Sequence, residues 1–362
     1  MPHSDKKPIR ILVVDDSAVI RQIIGDFIAQ ADDLELAGVA RDGEDALKKI
    51  AELAPDVVTL DVQMPKMDGL QTLERIFARQ PIPVIMVSAL TQRSADVTLQ
   101  ALDRGAMDYV AKPESAAAIE SCIKEELLHK IRIVAGADVQ RVLRIRQERA
   151  ARATKAAPPV AVQSTIAAPA GYEKACIALG ISTGGPPALS TLFQSLQLPL
   201  PGIVIVQHMP AQFTSAFARR LDSLSPVHVK EASTGDQLKP NCAYIAPGGK
   251  HLHLQRRGAR TYLHVRDGAP VSGHRPSADV LMQSAAKLSG ERGLGIIMTG
   301  MGSDGAQGCA DIRAAGGYVL GQDEATSDVY GMNKVAFVNG HVDRQFPLEP
   351  LPELITRRCR NF

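Results

Sequence analysis

Short apolar runs alternate with amphipathic stretches from Ile9 to about Glu126, and the same alternation returns from Tyr172 to Phe362. In the first segment the apolar runs predict strands at Ile9–Val14, Glu35–Ala40, Val57–Leu60, Val84–Val87 and Asp108–Val110. Helical periodicity falls between them, at Val19–Gln30, Glu44–Ala54, Gly69–Arg79, Ser94–Arg104 and from Ala117 onward. Five βα units in this order predict a doubly wound parallel sheet of flavodoxin-like type. In the second segment, strands are expected at Cys176–Leu179, Ile203–Val206, Val227–Lys230, Ala243–Ile245, Gly295–Met298 and Tyr318–Leu320. Helices are expected at Pro187–Leu196, Phe213–Leu224, Ser277–Leu288 and Ala306–Ala315. The runs His251–Leu254 and Tyr262–Val265 predict a β-hairpin inserted into this second doubly wound α/β unit.

Between the two, from Leu127 to Ala170, a helical pattern gives way to Arg141, Arg144, Arg146, Arg149 and Arg152, followed by an Ala/Pro-rich piece around Pro158, Pro159 and Pro169. Few large apolar side chains lie there, so an extended or partly disordered linker is expected, with the arginines on a solvated face. The organisation read from the chain is a first domain over 8–126, a linker over 127–171 and a second domain over 172–362. The length of 362 residues agrees with two cores rather than one.

Composition narrows the class. Hydrophobic residues make up 45%, charged residues 22%, and Trp is absent, as in a soluble α/β protein. A net charge of +2 gives no whole-chain footprint for nucleic acid, and the second half shows no helix-turn-helix pattern, which argues against a transcription factor. Cys122, Cys176, Cys242, Cys309 and Cys359 are scattered without metal-ligand spacing. The polar start and the absence of any run of about 18 apolar residues predict a cytoplasmic protein without membrane insertion.

Candidate chemistry sits at the ends of strands. In the first domain, Asp15 and Asp16 follow the first strand, Asp61 ends the third, Ser88 ends the fourth, and Lys112 follows the fifth. Carboxylates clustered on one sheet edge can hold a hard cation and leave one oxygen able to attack phosphorus. In the second domain, apolar Cys176 to Gly180 runs into Ser182-Thr183-Gly184-Gly185-Pro186, and Ile203 to Val206 into Gln207-His208-Met209-Pro210. A third run, Ile296 to Met298, enters Thr299-Gly300-Met301-Gly302-Ser303-Asp304-Gly305. Ligands of open α/β sheets bind beyond the carboxyl ends of strands, so Ser182, His208 and Asp304 are expected to converge as nucleophile, base and acid. Gly180-Ile181-Ser182-Thr183-Gly184 satisfies the G-x-S-x-G elbow, and the helix start behind it is expected to offer N–H groups to an oxyanion. The order Ser, His, Asp excludes an α/β-hydrolase. A phosphate-cradling loop at Ser182 to Gly185 is the competing reading of that motif. His251, His253 and His264 are read as packing residues of the hairpin, and His274 as a possible lining of the cleft.

Asp15-Asp16, the run Asp61 to Gly69, Ser88-Ala89 and Lys112-Pro113 together resemble a response-regulator receiver domain. That resemblance implies phosphorylation at Asp61, Mg²⁺ held by Asp15, Asp16, Asp61 and the carbonyl of Gln63, switch residues Ser88 and Tyr109, and Lys112 as phosphate partner. The motifs around Ser182, His208, Tyr244, His274 and Asp304, with Gln322 to Thr326 and Tyr330-Gly331-Met332, resemble the catalytic domain of the chemotaxis receptor methylesterase (CheB) family. This second resemblance implies a phosphorylation-regulated serine esterase. It would hydrolyse glutamate γ-methyl esters on chemoreceptors, deamidate receptor glutamines in some members, need no cofactor for the esterase step, and take phosphate from a chemotaxis histidine kinase. Backbone N–H groups of Thr183 and Met301 would then hold the oxyanion, and the unphosphorylated receiver is expected to cover the cleft. Ile181 stands where the family usually has a small residue and Asn333 where proline is common, with a narrowed cleft and a looser loop as the expected effects. A phosphorylation-controlled binding protein without turnover is the alternative.

Overall fold

The computed structural model describes residues 7–89, 91–112, 123–153 and 166–362. The chain divides into two compact units, Met1–Arg146 and Gln147–Phe362.

The amino-terminal unit alternates β1 (Ile9–Val14), α1 (Ala18–Ala29), β2 (Leu34–Ala40), α2 (Gly43–Leu53), β3 (Val57–Asp61), α3 (Gly69–Arg79), β4 (Val84–Ala89), α4 (Gln92–Asp103), β5 (Asp108–Lys112) and α5 (Lys124–Ala135). Short polar side chains start α1 to α4. Ser17, Asp42, Asp68 and Thr91 each accept a backbone N–H of the first turn. The strands form one parallel sheet in the order β2-β1-β3-β4-β5. Its direction of winding reverses between β1 and β3, which opens a crevice beyond their carboxyl ends.

Two expectations for this unit are corrected. Leu127, Leu128, Ile131, Val134, Val139 and Val142 are buried in its core instead of lying in a linker, because their spacing of three to four residues gives α5 and α6 (Val139–Ala153) one apolar face. Arg146 is not on a solvated face either. Its guanidinium, 7% exposed, donates to the carbonyls of Leu102 (2.6 Å) and Ala106 (3.1 Å). The expected helix start at Ala117 and the Pro158-Pro159 stretch fall outside the described residues.

The carboxy-terminal unit holds β6 (Cys176–Ile181), α7 (Gly185–Gln194), β7 (Gly202–Gln207), α8 (Ala211–Leu224), β8 (His228–Glu231) and β9 (Cys242–Ile245). It continues with the hairpin β10 (His251–Arg257) and β11 (Arg260–Arg266), then α9 (Ala278–Ser289), β12 (Gly293–Ile297), α10 (Ala306–Ala314) and β13 (Tyr318–Gln322). α11 (Met332–Val338), β14 (Arg344–Phe346) and α12 (Leu351–Cys359) complete it. A seven-stranded parallel sheet runs β14-β13-β12-β6-β7-β9-β8, and β10-β11 is a separate antiparallel ribbon. The last three elements, of three to nine residues, were not read from the apolar pattern. In this sheet the reversal falls between β6 and β12, so the chain leaving each of those strands lines one crevice. Among the described residues, no helix is long and apolar enough to cross a membrane.

Candidate functional site

In the carboxy-terminal unit β6 ends at Ile181, and the chain must turn at once into α7. Gly184 makes this possible: it caps α7 at φ +77°, and a Cβ there would lie 2.5 Å from that of Asp328. The turn leaves the Ser182 side chain half-buried at the sheet edge. Its main chain is held from both neighbouring strands. Ser182 N donates to the Thr299 carbonyl beyond β12 (2.9 Å), and His208 N donates to the Ile181 carbonyl across β7 (3.1 Å). The fully buried Thr299 also donates its hydroxyl to the Thr183 carbonyl at 3.0 Å.

Gln207, 2% exposed, ties two of these elements together. Its single side-chain amide donates to the carbonyl of Ser182 (3.0 Å) and to that of His208 (3.1 Å). The amide oxygen fills the space beside Gly185, where a Cβ would lie 2.0 Å from it. The backbones bearing Ser182 and His208 are therefore coupled by one side chain.

His208 Nε2 meets Asp304 Oδ2 at 2.8 Å. Because a carboxylate only accepts, Nε2 carries the proton in that pair and Nδ1 keeps a lone pair. Nδ1 is buried and has no hydrogen-bond partner among the described residues. Ser182 and His208 follow neighbouring strands, but no hydrogen bond links their side chains among the described residues. The His274 ring stacks on that of His208, with centroids 3.8 Å apart and planes within 7°.

Asp304 is fully buried. Three further donors surround its carboxylate, all from the start of α9: Ser277 Oγ at 2.6 Å, Ala278 N at 2.7 Å and Asp279 N at 3.1 Å. Burial alone would raise this carboxyl. The hydrogen bond from His208, with the donors of Ser277 and Ala278, nonetheless holds it below the usual carboxylate range. Ser277 serves twice, as N-cap of α9 and as a ligand of Asp304. A Ser three residues before Val280 was legible as a cap signature. Its contact with a residue 27 positions away was not.

Three sequence expectations change here. The helix start behind Ser182 offers few free donors, because Gly185 N is spent on the Ser182 carbonyl (2.8 Å) and the next two residues, Pro186 and Pro187, have no N–H. The Met301 N–H, by contrast, meets no acceptor among the described residues. Asn333 does not loosen its loop: fully buried, it donates to the Gln322 carbonyl (2.8 Å) and Ser327 Oγ (2.7 Å). Ile181 is fully buried at the end of β6 and so presents no surface to a cleft. Of the hairpin histidines, His251 is buried, while His253 and His264 are half-buried.

At the crevice of the amino-terminal unit, Asp15, Asp16 and Asp61 bring carboxylate oxygens within 4.8 Å of one another. Lys112 Nζ reaches Asp15 at 2.6 Å and Asp61 at 2.9 Å. Burial pushes the Asp61 carboxyl up to about 6; Lys112 opposes the shift and Asp15 adds to it. Such a crowded set of hard oxygens, with Asp15 and Asp61 buried and Asp16 exposed, suits a divalent cation, which would relieve the repulsion. Ser88 is fully buried and accepts from Thr98 Oγ1 at 2.8 Å. Tyr109 points inward at 3% exposure, with Lys130 Nζ 5.1 Å from its ring centre. The Gln63 side chain is exposed, and the Gln63 backbone N–H approaches Asp61 Oδ1 at 3.4 Å.

The family model for CheB methylesterase matches residues 177–355, and that for the response regulator receiver domain matches residues 11–124. A protein-glutamate methylesterase/protein-glutamine glutaminase of Pyrococcus abyssi is 43% identical over 99% of this chain and 95% of its own length. A relative of the same name in Geobacter metallireducens is 45% identical over 96% of this chain and 94% of its own. The solved catalytic domain of Thermotoga maritima CheB methylesterase covers 51% of this chain and 97% of that domain at 36% identity, with a TM-score of 0.50. Family models that match both units, with near full-length relatives above 40% identity, place this chain in the protein-glutamate methylesterase/protein-glutamine glutaminase family.

Proposed function

We propose that the protein hydrolyses glutamate γ-methyl esters on chemoreceptors, with Ser182 as nucleophile, His208 as base and Asp304 as the group that orients it. Ser182 Oγ forms a bond to the ester carbonyl carbon while His208 Nδ1 takes the hydroxyl proton. The resulting oxyanion is held by the backbone N–H groups of Thr183 and Met301. Collapse expels methoxide, which leaves as methanol with the proton from His208. Water then attacks the glutamyl-serine ester, His208 again accepting a proton, and frees the glutamate carboxylate and the serine. An amide in place of the ester releases ammonia by the same steps, which accounts for glutamine deamidation.

The observation that carries this reading is the 2.8 Å contact of His208 Nε2 with a fully buried Asp304. It supports the tautomer that turns the Nδ1 lone pair away from Asp304, on a residue that follows the strand next to the one leading into Ser182. Mass spectrometry of chemoreceptors incubated with the phosphorylated protein tests it. Loss of a methyl group at defined glutamates is expected, and Ser182→Ala should slow it by roughly 10⁴-fold or more. Near-normal hydrolysis by that variant refutes the assignment. Receptor binding without methanol release would identify a binding protein instead.

Regulation is assigned to Asp61. It accepts phosphate from a histidine kinase, Lys112 balances the added charge, and Ser88 and Tyr109 respond. Asp15, Asp16, Asp61 and the Gln63 carbonyl would hold Mg²⁺, which would neutralise charge between the acceptor and the incoming phosphoryl group. A chain lacking residues 1–170 should exceed the basal activity of the intact unphosphorylated chain, and equal or lower activity would count against autoinhibition. Cytoplasmic location follows from the same reading.

A further inference from the structure

The β10–β11 ribbon has two unlike faces. Leu252, Leu254 and Leu263 are buried in the core with Leu281, Ala285 and Ala286 of α9, and Leu254 N donates to Ser284 Oγ at 3.0 Å. Alternation puts the cross-strand pairs His253 with His264, Gln255 with Tyr262 and Arg257 with Arg260 on the opposite face, with Arg266 beside them. That face carries no Asp or Glu at any position. Arg257, Arg260 and Arg266 are exposed, and none of the three pairs with a carboxylate among the described residues. Arg257 lies 5.7 Å from the ring centre of Tyr262, and Arg266 Nε donates to His253 Nε2 at 2.7 Å. Burial first, then Arg266, pushes the His253 imidazolium down to about 4, so the positive charge at neutral pH belongs to the guanidiniums.

The ribbon begins next to the reaction site. His251, its first residue, accepts from Ser277 N at 3.3 Å, and Ser277 Oγ in turn donates to Asp304 at 2.6 Å. From there it extends for seven residues, about 20 Å at the usual strand rise. We propose that this outward face is a docking track for acidic stretches of the polypeptide that bears the scissile ester. Glutamate side chains flanking that ester along the substrate would pair with Arg266 near the site and with Arg257 and Arg260 at the tip.

The occupant follows from charge and from the chemistry of turnover, and its identity rests on the reading under Proposed function. Each hydrolysis converts a neutral ester into a carboxylate, so the segment around successive sites becomes more acidic as the reaction proceeds. Unpaired guanidiniums favour carboxylates through two-pronged hydrogen bonds. A helix spanning about 20 Å contains roughly 13 residues, enough to carry several flanking glutamates.

The test uses the full chain and two synthetic helical peptides, each with one glutamate γ-methyl ester, flanked by glutamates in one and by glutamines in the other. The glutamate peptide should show a KM about tenfold lower, from two or three exposed ion pairs, with the difference shrinking as salt is raised. Arg257→Glu combined with Arg260→Glu should erase the difference, whereas lysine at both positions should keep most of it. Equal KM values, or a preference that survives charge reversal, overturn the proposal. If the native chain hydrolyses neither peptide, the esterase reading fails instead. The docking claim is then decided by fluorescence anisotropy of the ester-free glutamate peptide, which must bind the native chain more tightly than the reversed one.

Discussion

Ser277→Ala isolates the contribution of α9 to the catalytic acid. The substitution removes a 2.6 Å hydrogen bond to a fully buried carboxylate and the weaker 3.4 Å cap contact with Val280 N. A hydrogen bond to a charged group contributes about 2 kcal/mol, and a long cap contact about 0.5 kcal/mol. Loss of both should destabilise the catalytic unit by about 2.5 kcal/mol, a fall of roughly 5–10 °C in its Tm. Ser277→Gly separates the two effects, since glycine at an N-cap costs only a few tenths of a kcal/mol. Both variants should lose nearly the same amount if the carboxylate contact dominates.

The same perturbation reaches activity. With one of its donors gone, Asp304 holds the His208 ring less firmly, and kcat for methyl release should fall about tenfold with KM unchanged. The sign of the pH effect follows from the depressed Asp304 carboxyl. Its contribution to stability is present above the unfolded carboxylate pKa and is lost as pH falls through the folded value. The penalty of Ser277→Ala should therefore be full near neutrality and shrink in acid, while the acidic limb of the kcat profile moves to higher pH. Calorimetry and initial-rate methanol release across that range would measure both. An alanine variant much less stable than the glycine variant, or one with native kcat, would refute the claim that α9 orients the acid.

Two further outcomes are expected. Gln207→Leu leaves the His208 carbonyl without its side-chain donor and should lower kcat about tenfold to a hundredfold at nearly constant KM, with about 1–3 kcal/mol lost in denaturant unfolding; native kcat would show that the coupling is only structural. For Asp61, whose folded pKa is raised to about 6 from 3.8, the folded state holds the proton more tightly, so stability contributed below pH 4 is lost as pH rises through 6. In metal-free buffer above pH 7, Asp61→Asn should therefore stabilise the amino-terminal unit by up to about 3 kcal/mol, with no gain below pH 4 and with Mg²⁺ narrowing the gap by binding the native carboxylates. Denaturant titrations across pH check this, and a destabilised variant would contradict it.

The periodic parts of the fold were legible in sequence because each buried strand of a parallel sheet must be apolar along its length, and each helix must be apolar on one face. The strands bearing Asp61, Ser182 and His208 were placed in this way, and the residues following them were candidates because sheet topology sends ligands to strand ends. Local spacing misjudged Leu127 to Val142, where charged residues between apolar positions resembled a linker until both helices found a core. Tertiary structure alone decided which nitrogen of His208 faces Asp304, that Ser277 and the first N–H groups of α9 surround that acid, and that one buried amide joins the Ser182 and His208 backbones. These contacts bridge 25 to 96 positions or turn on the orientation of a single ring or amide. Periodicity encodes which face of an element is buried, whereas the partner of a buried polar group is set by where distant strands end in space.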